Sequence, residues 1–515
     1  MGVYILRRLL LMIPTLIGIT FVVFMIIALA PGGIGASLRV SGGEMEANTR
    51  AIREAYLEDR YGLDAPAPVQ YVRWLGRISP IKFGTRDQID PTGEFIRSPK
   101  TPKEPPLWSF FVDDLPEDAE PVPYEFDLSE GLTDEQIAEQ KSRAYRRQSQ
   151  AYSQARAAMI ANKALLDELI GRIADENALR GIRDSNGKIR YSVVERNKDV
   201  FENDARWEEV QAQGSVLIDA YAEAWRQWGI LKGIFDAKPF PEAGIGIVPG
   251  LSVSSPDFGR SFTKSRPVVD LISDAIPITI LLNLIATPII YFIAIPCGML
   301  AAVRAGSMFD RLSGAFFIAL WSFPIPLAGV LAIGYLANND YLGWFPVSGL
   351  HSTASEGYTY LPSVNAQGNW EPGYLLDLIW HVCLPVLCLV YGGFAILSKQ
   401  TRAAMLDNFN MDYVRTAKAK GVAGNTIVMR HVFRNSLLPL ITMFVSIFPA
   451  MLAGSVVIEQ IFTVPGMGRL TLESINLRDR ELLLANTLMI AGVNLVALLL
   501  ADILYALADP RISYK

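Results

Sequence analysis

The sequence predicts an all-α membrane protein of about six transmembrane helices, interrupted by a large polar insertion that folds as a helical hairpin. Three observations carry this reading. Apolar runs long enough to cross a bilayer cover residues 9–30, 276–303, 312–336, 375–397, 437–457 and 482–507. Between the first and second of these lies a long polar stretch, although mean hydropathy over all 515 residues is positive at +0.25. Within that stretch, apolar residues recur at alternating three- and four-residue spacing, the signature of a helical seam.

The first run follows Arg7 and Arg8. A secretory signal is the rival reading, and Ala28-Leu29-Ala30 imitates a cleavage site. The run is roughly 20 residues, longer than the ~7–15 of a signal core. Pro31 would also follow the cut directly, where a protease needs an adaptable extended chain. Residues 1–30 are therefore expected to be a retained first span, followed by an outer segment at 31–86.

Residues 87–254 form the insertion. Its first part, 87–130, is rich in Pro and acids and is expected to be loop-like. Thr133 and Gln136 then have the spacing of a capping box. Tyr145, Tyr152, Met159, Leu166 and Ile173 recur every seven residues, with Ala155 and Leu169 between them. A second run holds Trp207, Val210, Gly214, Leu217, Tyr221, Ala224, Trp228 and Leu231. Asn186-Gly187 offers a turn between them. Arms of about 40 residues would reach about 60 Å at 1.5 Å per residue. Three roles stay open for this coiled-coil-like hairpin: a decoration packed on itself, a platform for another protein, or an oligomerisation arm. "YVRWLGRISPIKFGTR" before it and "SSPDFGRSF" after it look alike, as if one segment had been opened around the insertion.

Residues 255–515 hold the remaining spans. Pro277, Pro288, Pro296, Pro324, Pro326, Pro385, Pro439 and Pro449 interrupt them. In a helix bundle, neighbouring groups satisfy the carbonyls a proline frees, so kinked spans survive. Residues 338–377 contain no Lys or Arg, whereas Lys399, Arg402, Arg415, Lys418, Lys420, Arg430 and Arg434 crowd a later loop. Positive residues stay on the cytoplasmic side. This expects a multi-pass membrane protein with both termini and the loop 399–435 in the cytoplasm, and the insertion outside.

That loop reads as two short helices. Asp412 to Lys420 suits a helix, and Gly421 stops it. Asn425 is placed to cap a second helix, in which Val428 and Val432, and Met429 and Phe433, are spaced by four. An interfacial helix pair on anionic lipid and a docking knob for a soluble partner both fit.

Net charge is −5, which speaks against a nucleic-acid partner. Cys297, Cys383 and Cys388 all lie in apolar runs, so no disulfide framework is expected. His381 near Cys383 and Cys388 has poor spacing for a metal, and no metal site or cofactor is expected. There is no G-x-x-x-x-G-K-[ST] phosphate loop and no catalytic constellation, so the chain is expected to be no enzyme. Asp502 in the last span is a candidate for the translocation path or a structural hydrogen bond. Asn283 and Asn494 either line a path or join helices. Pro465, Gly466 and Gly468 suit a tight outer turn.

"YVRTAKAKG…RHVFRNSLLP" resembles the cytoplasmic coupling loop of bacterial ABC-importer permeases in the form used by the oligopeptide/dipeptide family. The usual Glu-Ala-Ala, three residues, Gly reads here as Arg415-Thr416-Ala417, three residues, Gly421. "ILRRLLLMIPTLIGI…APGG", "DFGRSF", "GSMFDRL", "FPVSGL", "VPGMGRL" and "DPRISY" match the same family in order, and the start, "WHVCLPVL" and the end look most like its Yej-type permeases. The resemblance implies the type I ABC-importer permease fold. It implies ATPase coupling through Tyr413, Arg415, Thr416, Ala417, Lys418, Lys420 and Gly421, and an outer mouth at Pro465, Gly466 and Gly468. It further implies two ATP-binding subunits, a second permease that the family favours as a different chain, an extracytoplasmic substrate-binding protein and import of peptides or peptide-like solutes. Relatives also carry nickel chelates and sugar conjugates. A secondary transporter and a membrane-anchored scaffold displaying the coiled coil are the alternatives.

Overall fold

The computed structural model describes residues 2–29, 66–91, 93, 95–126, 133–183, 189–261, 263–264, 266–364, 368, 370–447, 449 and 454–508. The chain divides into two compact units, residues 1–35 with 258–515, and residues 36–257. The first unit opens with α1 (Gly2–Leu29). The second holds α2 (Ala67–Ile78), β1 (Ile81–Phe83), β2 (Gln88–Ile89), β3 (Phe95–Ile96), α3 (Asp134–Glu176), α4 (Tyr191–Arg196), α5 (Lys198–Glu202), α6 (Trp207–Asp236), β4 (Ile245–Val248) and β5 (Leu251–Val253). The first then resumes with α7 (Val268–Val303), α8 (Met308–Ser322), α9 (Ile325–Leu331), β6 (Ser363–Val364), β7 (Trp370–Glu371), α10 (Gly373–Phe409), α11 (Asp412–Ala419), α12 (Leu437–Val445), α13 (Val456–Ile461), α14 (Met467–Asn476) and α15 (Arg480–Ala508). The turn at Asn186-Gly187, the start of the outer segment at 30–33 and the motif at 509–514 fall outside the described residues.

In the first unit, four described helices are long and apolar enough to cross a membrane: Tyr4–Leu29, Val268–Val303, Gly373–Phe409 and Arg480–Tyr505. The run expected at 312–336 is instead a broken span, Met308–Ser322 followed by Ile325–Ala337, bent by 82°. Pro324 and Pro326 explain the break, because each removes an amide donor and crowds the preceding turn. Its last stretch, Ala332–Ala337, is π-helical. The run expected at 437–457 begins as α12, and residues 448 and 450–453 fall outside the described residues.

Helix α10 is the hub. In its most apolar window 44% of residues are buried, against 11% in α1, so α1 is peripheral. The α7–α10 crossing is built from small residues. Ala294, Ala301 and Ala302 are buried along α7. A Cβ on Gly298 would stand 2.5 Å from the Ser398 carbonyl oxygen and 2.8 Å from Thr401 Cβ. One on Gly393 would stand 2.6 Å from Ile290 Cδ1. Between spans, where water exclusion adds nothing, such close packing is what holds helices together.

In the second unit, α3 and α6 run antiparallel. Gln148 donates to the Gln227 side chain at 2.7 Å and Gln213 donates to that of Asn162 at 3.1 Å, which fixes direction and register. Leu166, Ile170 and Ile173 meet Val194, Phe201, Val210 and Leu217 in one core. Tyr152, Tyr221, Trp225 and Trp228 form a second. Full burial of each large side chain contributes about 1.5–3 kcal/mol. Thr133 and Gln136 form a reciprocal capping box at the start of α3. The arms differ in length: α3 has 43 residues and α6 only 30, because α4 and α5 fold back before α6 begins.

The stretch from 87 to 126 is not a free loop. It straps the hairpin. Gly229 and Gly233 open a groove on α6, where a Cβ on Gly233 would overlap the Val122 carbonyl oxygen at 1.7 Å. Val122 N donates to Gly229 O at 3.1 Å. Trp228 Nε1 donates to Pro99 O at 3.0 Å, and Tyr152 donates its hydroxyl to Lys100 O. Buried Gln88 donates to Phe235 O at 2.8 Å and accepts from Phe240 N at 3.1 Å.

Strand β1 pairs antiparallel with β5, with Phe83 opposite Leu251 and Ile81 opposite Val253. Strand β4 adds to the other side of β5. Residues 66–86 therefore fold with the hairpin rather than apart from it; the first look-alike segment carries β1, and the second follows β5 directly.

The tight crossing generates a prediction. Gly298→Leu should cost at least about 1–3 kcal/mol by overpacking. Gly314→Leu, on α8 with no atom within 4 Å of a new Cβ, serves as the control. Thermal unfolding in detergent should show a lowered midpoint for the first and little change for the second.

Candidate functional site

Two ends of the first unit concentrate the candidate residues. The basic end carries the C-termini of α7 and α10, the start of α8, and α11. The opposite end carries α13 and α14.

At the basic end, α10 stops at Phe409 and α11 begins at Asp412. Gly421 terminates α11 with φ +75°. Gly421 N donates to Lys418 O at 3.0 Å and Val422 N to Ala417 O at 3.2 Å. This pair of bonds is a Schellman motif, and Val422 packs back on the helix base as that motif requires. A Cβ at Gly421 would meet no atom within 4 Å, so glycine is needed for its backbone angle and not for space.

Val414 and Ala417 are the buried face of α11. They pack on Met299 and Ala302 of α7, on Met405 of α10, and on Ile427 and Val432. Tyr413 donates its hydroxyl to Asn408 Oδ1 at 2.7 Å, Asn408 Nδ2 donates to Ser436 Oγ at 3.1 Å, and Ser436 Oγ donates to Ala404 O at 3.1 Å. Tyr413, Arg415, Thr416, Lys418 and Lys420 are exposed, while Ala417 faces inward. Arg415 pairs with Asp412 at 3.3 Å in the open, which adds little stability.

The next stretch differs from the sequence expectation in two ways. Asn425 does not cap; Ala423 stands at the N-cap position with no side-chain bond. Residues Ile427–Phe433 are π-helical, so the buried pair is Ile427 and Val432, five apart, and Met429 is exposed. The wider turn brings residues five apart onto one face, which four-residue spacing could not register.

At the opposite end, Glu459 of α13 is fully buried. Its Oε1 accepts from Thr279 Oγ1 at 3.1 Å and from Ser455 N at 3.2 Å, and its Oε2 from Arg469 N at 2.9 Å. The Thr279 hydroxyl accepts in turn from Met467 N at 2.8 Å. A Cβ at Gly466 would stand 2.6 Å from Glu459 Cδ and from Thr279 Oγ1, and one at Gly468 would stand 2.6 Å from Val456 N. Gly466 has φ −93°, so it serves close approach and not the turn angle expected of it. Pro465 is exposed between these contacts.

The other candidates scatter. Asp502 accepts from Tyr4 at 2.8 Å and pairs with Arg8 at 3.0 Å, tying α15 to α1. Asn283 donates to Thr279 O at 2.9 Å in its own helix. Asn494 is exposed on α15. His381 Nδ1 lies 2.8 Å from Asp377 O, and Cys388 is in the core. Sequence reasoning missed Glu459. The signal was a lone acid inside "VVIEQIF", the same kind that drew notice to Asp502. It also missed buried Asp479 at the start of α15, which accepts from Ser261 Oγ and from Thr263 N at 3.3 Å.

Residues 294–514 match the family described as binding-protein-dependent transport system inner membrane component. The oligopeptide transport system permease protein AppB of Bacillus subtilis is 40% identical over 261 residues, which cover 50% of this chain and 76% of AppB. The inner membrane ABC transporter permease protein YejB of Escherichia coli is 38% identical over 262 residues, covering 50% of this chain and 68% of YejB. The peptidoglycan transport system permease protein YejB of Agrobacterium fabrum is 35% identical over 260 residues, with the same two coverages of 50% and 68%.

Glu459→Ala leaves the Thr279 hydroxyl and the Ser455 and Arg469 amides without their acceptor. It should cost several times the about 1 kcal/mol of one ordinary hydrogen bond. Glu459→Gln keeps an acceptor oxygen and should lose clearly less. Unfolding midpoints that fall equally in both variants would show that volume, and not hydrogen bonding, sets the cost.

Proposed function

This chain belongs to the inner-membrane components of binding-protein-dependent transport systems, and on that premise we propose that it is the permease subunit of an ATP-driven ABC importer for peptides or peptide-like solutes. The observation that carries the reading is α11. It presents Tyr413, Arg415, Thr416, Lys418 and Lys420 outward from a base wedged onto the ends of α7 and α10. A projecting helix on a rigid footing can take up a displacement and pass it to the spans. Importing work needs two states of the permease, biased from one side by ATP and from the other by loaded binding protein.

In this reading the basic end is cytoplasmic, as its excess of Lys and Arg supports. Two ATP-binding subunits supply the energy, since this chain carries no phosphate loop. A second, different permease chain completes the path. An extracytoplasmic binding protein delivers the solute near the Glu459–Gly466–Gly468 turn. The second unit is extracytoplasmic. The substrate class rests on the relatives, whose names refer to oligopeptides and peptidoglycan.

Gentle purification of the tagged chain should bring ATP-binding subunits with it; a chain that purifies alone while its spans stay folded would overturn the reading. Charge reversal at Arg415 and Lys418, or Gly421→Pro, should lower uptake per ATP hydrolysed about tenfold, the size of an ordinary coupling energy. Gly421→Pro removes both the left-handed angle and the donor of the Schellman bond. Uptake at the normal rate in these variants would count against α11 as the coupling element.

A further inference from the structure

One ion pair at the basic end joins the broken span to the base of α11. Asp310 stands in the first turn of α8, and Arg402 near the end of α10. Arg402 Nε donates to Asp310 Oδ1 at 2.5 Å and its Nη2 to Oδ2 at 2.8 Å, a bidentate fork. The Asp310 side chain is 7% exposed and that of Arg402 37%. Asp310 Oδ2 also accepts from Gly306 N at 2.9 Å, and the Ser307 hydroxyl caps the same turn by accepting from Asp310 N at 3.4 Å. One carboxylate therefore fixes the turn into α8 and grips α10 together.

The positions on either side give this fork its meaning. Arg402 lies within one turn of Met405, which packs under Val414 and Ala417. The stretch of α10 that supports α11 is thus the stretch that holds α8. Beyond its 82° bend, the same broken span leads to the opposite end. Tyr391 donates to Phe323 O at 3.1 Å beside the bend. On α9, a Cβ at Gly329 would stand 3.3 Å from Ile461 Cγ2, two residues after Glu459.

We infer that Asp310 and Arg402 are positioning residues for transport: the fork hands displacement of the α11 base to the α8–α9 broken span, and through it to the turn around Glu459. The inference rests on the permease reading. The physical argument is that a forked pair with a buried carboxylate resists separation in two directions, since parting it would leave that carboxylate uncompensated. The apolar contacts nearby can slide; the fork cannot slide without breaking both bonds. Lys cannot reproduce the fork, because it offers one point charge in place of two parallel donors.

The test reconstitutes the full transport complex in proteoliposomes with loaded binding protein, and measures solute uptake and phosphate release together. Asp310→Asn and Arg402→Lys should leave ATP-binding subunits attached and hydrolysis running. Uptake per ATP should fall about tenfold, an ordinary coupling energy. The exchange D310R with R402D should recover at least part of that ratio, because the fork is restored with its ends swapped. If the variants lower complex yield but keep the wild-type ratio, the pair is merely structural and the inference is overturned. It is overturned equally if neither single variant changes the ratio. Failure of the wild-type complex to import at all would instead strike the permease reading itself.

Discussion

Helices α7 and α10 meet so closely that a methyl group on Gly298 would strike the Ser398 carbonyl and one on Gly393 would have to push the end of Ile290 aside. The rest of the first unit depends on that crossing. At one end of the pair, Met299, Ala302 and Met405 form the seat of α11. At the other, Thr279 of α7 holds the Glu459 carboxylate and, through Met467 N, the start of α14. Both candidate regions hang from the same two helices. Interiors packed at this density transmit strain and do not absorb it. What can move is the element beside the pair, the broken span with its proline break and its π-helical end.

Polar groups in this unit are used sparingly and in company. Glu459 gathers a threonine hydroxyl and backbone amides, Asp310 a guanidinium fork and an amide, and Asp502 a tyrosine hydroxyl and an arginine. Each joins elements that the chain keeps far apart. Away from water an unpartnered carboxylate is costly, so every such group specifies which helices must meet. The second unit uses another device. Its helices are sealed by a strap of irregular chain, seated in a groove that Gly229 and Gly233 leave open.

What could be read from the sequence follows from the range of each signal. The hairpin seam was legible because Leu166, Ile173, Val210 and Leu217 repeat with a helical period, which is local. Gly421 was legible because a helix stop is also local. The bend at Pro324 was marked by residue type, but its angle was not. The strap was illegible: its Pro- and acid-rich stretch has no period, and its partner glycines lie about a hundred residues further on. The π-helical register of Ile427–Phe433 broke the four-residue rule used to assign its faces. Glu459 and Asp310 needed their partners from α7 and α10 before their roles could be seen.

The pairing of β1 with β5 has an architectural consequence. It brings the entry and exit of some third of the polypeptide face to face across one rung of a ladder, about 5 Å apart. For the segments on either side, that whole body amounts to a hairpin's worth of gap. A fold closed at its own stem can lengthen or shorten between those two strands while the stem keeps its register.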